Sequence, residues 1–96
     1  MNRYETVIII KGELSKLKNS ETIEKVKNKI KEFGEIVEQQ DMGIRKMAYT
    51  INNQSNGHYL VFRYKIEETQ SKNAIHEIER FFRINDEVLR YLTIKI

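Results

Sequence analysis

Asn52-Asn53-Gln54-Ser55-Asn56-Gly57 is turn chemistry, and it runs straight into His58-Tyr59-Leu60-Val61-Phe62-Arg63-Tyr64, where large side chains alternate. Asparagine, serine and glycine accept backbone conformations that a strand interior does not, so this stretch closes a hairpin. Leu60, Phe62 and Tyr64 fall on one face of the strand that follows, to Ile66; Tyr59, Val61 and Arg63 fall on the other. Before the turn, Glu35 to Gln40 is a strand through Ile36 and Val37 that can bend near Gly43 and continue through Met47, Tyr49 and Ile51. Ahead of that strand, Ile23, Val26, Ile30 and Phe33 recur at helical spacing. Ser20 is the expected cap, with Glu21 and Glu24 in the first turn and Gly34 as the stop. Arg3 to Ile10 is a β-branched run and reads as a strand, followed by a polar loop from Lys11 to Ser20. Beyond the hairpin, Ala74, Ile75, Ile78 and Phe82 mark a second helix, flanked by Phe81 and capped by Thr69 or Ser71. Asn85-Asp86 turns the chain into a last strand, Val88 to Ile96.

Strand, helix, strand, strand, helix, strand is the order of a ferredoxin-like split βαβ sandwich, an α+β fold with a four-stranded antiparallel sheet and both helices on one face. Right-handed crossovers put the first and third strands in the middle. Ninety-six residues are enough for one core and too few for two, so a single domain over residues 1–96 is expected. Val7 to Ile10 is the longest apolar run, far too short to span a bilayer. Met1-Asn2-Arg3-Tyr4 leads into it without a secretory cleavage pattern. Zero cysteines exclude a disulfide scaffold and thiolate metal sites, and fit a reducing cytoplasm. Seventeen basic against fourteen acidic residues leave a net charge of +3, which permits nucleic-acid binding without implying it.

Where the charges sit says more than their sum. From Lys11 to Glu35 lysine and glutamate alternate, as on a solvated helix face, whereas Arg80, Arg83 and Arg90 cluster late. On the expected topology Arg45 and Lys46 lie on one edge strand, Arg90 and Lys95 on the other, with Arg83 just upstream and Arg3 beside the last strand. A cation on rigid backbone suits phosphate, and arginine's planar fork supplies paired hydrogen bonds, so Arg3, Arg45, Lys46, Arg83 and Arg90 are the candidate RNA contacts. Lys95 is as readily explained as protection of an edge strand against aggregation. The helices cover one sheet face only. Val7, Ile9, Tyr59 and Val61 would then stand together on the open face as a partner-binding patch.

Chemistry for an enzyme is missing. His58 and His76 have no metal-ligand spacing and no Ser/His/Asp series around them, and each reads as an ordinary surface or edge residue. The four glycines are dispersed, which excludes a glycine-rich phosphate loop. Catalytic residues, metal, cofactor and small-molecule substrate are therefore not expected. The positions one, three and six places after Gly57 hold His58, Leu60 and Arg63 rather than aromatics, so base stacking on the sheet in the manner of an RNA-recognition motif is disfavoured.

Four segments, in order along the chain, resemble the family of ribosomal protein six of the bacterial small subunit: Arg3-Tyr4-Glu5-Thr6, Gly43-Ile44-Arg45-Lys46-Met47-Ala48-Tyr49, Asn56-Gly57-His58-Tyr59 and Arg83-Ile84-Asn85-Asp86-Glu87-Val88-Leu89-Arg90-Tyr91. Thr50 departs from that family, whose members often carry proline there. The resemblance implies a structural component of the subunit platform that binds the central domain of small-subunit ribosomal RNA together with ribosomal protein eighteen, and supports assembly and translation in the cytoplasm. It places Arg3, Arg45, Lys46, Arg83 and Arg90 at matching basic positions, and Tyr49, Tyr59 and Tyr91 at matching aromatic positions that serve either core or interface. The alternative is a homodimeric ferredoxin-like module for protein–protein contact or small-molecule sensing, which the open apolar face would suit.

Overall fold

A computed structural model describes Met1–Ile96. The elements are β1 (Asn2–Lys11), α1 (Lys16–Phe33), β2 (Gly34–Ile51), β3 (Gln54–Ile66), a 3₁₀ turn (Glu68–Gln70), α2 (Ser71–Ile84) and β4 (Val88–Lys95). All neighbouring strands are antiparallel and the sheet order is β2-β3-β1-β4, so the first and third strands are central, as the sequence predicts.

Alternation along β1 and β3 decides which side is core. Tyr4, Ile8 and Ile10 of β1 and Leu60, Phe62, Tyr64 and Ile66 of β3 are buried against Val26 and Ile30 of α1 and Ala74, Ile78 and Phe82 of α2. Both helices therefore cover the same face. Thr6 is fully buried in this layer, and its hydroxyl lies 2.8 Å from both the Tyr64 hydroxyl and the Thr93 hydroxyl. Burial pushes the Tyr64 phenol up, and its hydrogen bonds to Thr6 and Thr93 pull it partly back.

The helix starts differ from the sequence reading. Ser15, not Ser20, caps α1: its Oγ accepts from the Lys18 N–H at 3.2 Å, and the helix begins at Lys16. The polar composition of residues 16–20 hides a turn whose helical state is supported by the apolar face further on. Neither Thr69 nor Ser71 caps α2. Ser71 is buried inside the first turn, donating to the Glu67 carbonyl at 3.0 Å and accepting from Asn2 Nδ2 at 3.0 Å.

Gly34 ends α1 as expected, but in extended backbone rather than the left-handed region. A Cβ there would stand 2.2 Å from the Lys65 carbonyl oxygen, so glycine is required by close approach of β3. The bend in β2 is at Gly43, at φ +83, and the register slips between Asp41 and Gly43.

The hairpin turn is tighter than the sequence suggests. Asn52 and Asn53 alone form it, at φ 48 and 64, and Ile51 pairs with Gln54. Two adjacent positive φ values match the twist of a hairpin, and asparagine is among the few residues that tolerate them. Ser55 to Gly57 belong to β3. Past the point where Lys11 pairs with Gly57, β2 and β3 continue alone as an arm. Within it the register breaks between Lys46 and Ile51; Met47 turns inward while Ala48, Tyr49 and Thr50 are exposed.

Candidate functional site

The open sheet face is built row by row from the strand register. Glu38, Arg63, Glu5 and Ile94 align across all four strands; Gln40, Val61, Val7 and Leu92 form the next row; Gly43, Tyr59, Ile9 and Arg90 the third. Val7, Ile9, Tyr59 and Val61 thus stand together, each half-buried by its neighbours. Leu92 and Ile94 extend the patch, at 62% and 50% exposure, and sequence reading left them out. Alternation along the last strand holds the signal: both share the parity of Arg90, which cannot face a core.

Of the other two tyrosines named from the sequence, Tyr49 is exposed on the arm. Tyr91 pairs with Ile8 and so faces the helices, its ring tilted against Phe82 at 5.5 Å. Packing of this kind makes Tyr91 part of the core margin and removes it from the open face.

Arg63 is held by two carboxylates, Glu38 at 2.9 Å and Glu5 at 3.7 Å. Glu38, then the charge of Glu5, favours its protonated form further. Arg63 is consequently neutralised. Arg3, Arg45, Lys46, Arg83 and Arg90 are all exposed, and none has a carboxylate within ion-pair distance. Arg45 donates through Nε to the Met42 carbonyl at 3.2 Å, which steadies the side chain without neutralising it.

Register divides these five. Arg90 pairs with Ile9, and Arg45 and Lys46 pair with Gly57 and Asn56, next to the end of β1. Arg83 stands in the last turn of α2, which leads to the start of β4 at the same end. Arg3 pairs with Lys65 near the beginning of β1, about 20 Å away along the strand. Four cations gather at one end of the sheet and the fifth stands apart.

His58 overturns its reading as a surface histidine. It is buried at 6% exposure; its Nε2 lies 2.7 Å from Asp41 Oδ1 and its Nδ1 2.9 Å from Asn19 Nδ2, both at hydrogen-bond distance. The ring ties α1 to the bend in β2. Its alternation with Leu60 and Phe62 was the available signal, since it puts His58 on the helix side. Partial desolvation pulls the Asp41 carboxyl up, but the hydrogen bonds from His58 and the Gly43 N–H, with the attraction of the imidazole, outweigh it and hold the group below its usual value of 3.8. A carboxyl depressed on folding stabilises the fold above its unfolded pKa and ceases to do so as pH falls through the folded one. Asp41→Asn is accordingly expected to lower the melting temperature at neutral pH, by an amount that shrinks as pH drops below about 3.8. An equal difference at all pH values would show that the charge is immaterial.

No group of three or more histidine, cysteine, aspartate or glutamate side chains is placed to hold a metal ion. No helix is long and apolar enough to cross a membrane.

Comparison with known proteins converges. The family model described as ribosomal protein S6 matches residues 3–95. The small ribosomal subunit protein bS6 of Sulfurovum sp. is 38% identical over 96 residues, covering 99% of this chain and 72% of that one. The bS6 protein of Christiangramia forsetii is 38% identical over 97 residues, covering 100% of this chain and 83% of its own. The crystal structure of 30S ribosomal protein S6 from Thermotoga maritima superposes with a TM-score of 0.88 at 29% identity, covering 99% of this chain and 87% of that one.

Proposed function

The chain belongs to the ribosomal protein S6 family, structural and non-catalytic components of the small ribosomal subunit in the cytoplasm, and from that premise we propose that it binds the central domain of small-subunit ribosomal RNA as a pair with ribosomal protein eighteen, supporting assembly of the subunit platform. The observation that carries this reading is the set of unpaired, exposed cations at one end of the sheet: Arg45, Lys46, Arg83 and Arg90. Cations held on strands and a helix end, with no internal acidic partner, are available to phosphates at no cost in broken ion pairs. Arg3 supplies a separate contact near the other end of β1. The open face, with Val7, Ile9, Tyr59, Val61, Leu92 and Ile94, is the surface for the protein partner. Tyr49 on the exposed arm serves either partner.

Binding to a transcript of the central domain in the presence of ribosomal protein eighteen is expected to weaken steeply with salt, because each neutralised phosphate releases counterions. Titration at several salt concentrations reads the slope. Absence of binding with the partner protein present, or binding indifferent to salt, would contradict the proposal. So would a stable homodimer, seen by light scattering, that ignores the RNA.

A further inference from the structure

We propose that Arg83 and Arg90 together form a cradle for one phosphate of the RNA backbone, an inference that rests on the RNA-binding reading above and divides its labour. The last turn of α2, the start of β4 and the tip of the β2–β3 arm border an open concavity of about 490 Å³. Arg83, Arg90 and Asn52 are its polar lining, and Phe82, Leu89 and Tyr91 contribute to its floor. Two consecutive elements and the distant arm tip thus bring Arg83, Arg90 and Asn52 to the margin of one hollow.

Both arginines are uncommitted, which distinguishes them from Arg63, held by Glu5 and Glu38, and from Arg80, 3.6 Å from Glu77. Glu87, at the turn into β4, is engaged by Lys18 at 3.5 Å. The C-terminal end of a helix by itself disfavours an anion. Arg83 stands in that last turn and offsets the effect. The floor argues against a stacked base. Phe82 is 1% exposed with its ring against Phe81 and Tyr91, and Leu89 is 8% exposed, so the hollow offers a base little free aromatic surface. What it presents to a ligand is donor-rich and cationic, and a guanidinium fork matches phosphate oxygens.

The test compares Arg83→Gln/Arg90→Gln with Arg3→Gln in salt titrations against the central-domain transcript, ribosomal protein eighteen present. One shared phosphate predicts that the double variant lowers the salt slope by about one, with affinity lost evenly across RNA sequences. Arg83→Lys/Arg90→Lys should restore the slope while leaving affinity below that of the parent, since charge returns without the fork. An unchanged slope in a folded double variant overturns the cradle, as does a fall of about two, which would mean two separate phosphates. Loss of binding to ribosomal protein eighteen alone, without RNA, would reassign the pair to a protein carboxylate and likewise overturn it. If the parent protein itself binds no RNA, the functional reading fails first; the parent titration separates that outcome from failure of the cradle, and Arg3→Gln gives the slope change of a single separate contact.

Discussion

Phe82→Ala is expected to destabilise the protein by about 3–5 kcal/mol, read as a lowered urea midpoint. The ring is 1% exposed and packs on Phe81 and Tyr91, inside the cluster formed with Ile8, Leu60 and Ile78. Truncation leaves a cavity between α2 and the start of β4, and the neighbours across it, Ile8, Leu60 and Tyr91, are strand residues fixed by register, so they can close it only partly. Domains of this size have total stabilities of roughly 5–15 kcal/mol, which makes the variant marginal at 37 °C. Phe81→Ala is the control. That residue is half-buried beside Lys29, whose ammonium lies 5.9 Å from its ring centroid, and the loss there should be clearly smaller. Equal losses at the two positions would mean that α2 presents a different face to the sheet.

Arg45→Glu combined with Arg90→Glu should nearly abolish incorporation into small subunits while leaving the fold intact. Both side chains are exposed and neither is ion-paired, so the folded protein loses no interaction beyond the Arg45 bond to the Met42 carbonyl, and stability should move by less than about 0.5 kcal/mol for each. Against an RNA surface each reversal places a carboxylate where a cation faced phosphate. Sedimentation of cell extracts measures incorporation, and circular dichroism checks the fold. Full incorporation of a folded double variant would place the RNA contacts elsewhere.

Topology was legible because each element announces itself by period: two along β1 and β3, three to four along both helices. The turn at Asn52-Asn53 was visible in kind but not in width, since Ser55 to Gly57 are equally at home in a loop. The start of α1 was missed for a similar reason. Lys16 to Ser20 carry no apolar stripe, and the Ser15 cap with contact to the rest of the fold makes them helical. On the site, parity placed Val7, Ile9, Tyr59 and Val61 on one face, because alternation is a local property. It could not show that Tyr91 leans on Phe82, that Asp41 meets His58, or that the arm brings Asn52 to Arg83 and Arg90. Those meetings depend on a bend at Gly43 and on packing between segments up to several tens of residues apart.

The hydroxyl chain Tyr64–Thr6–Thr93 crosses three strands in a mainly apolar interior. A slip of β4 by one residue would bring Leu92 or Ile94 opposite Thr6 and strand oxygen atoms in a dry environment. Sliding by two would keep the faces correct yet still separate the threonines. The terminal strand is thereby locked to a single alignment, and with it the spot from which Arg90 projects. Three modest oxygens act as the alignment pin of a surface that they never touch.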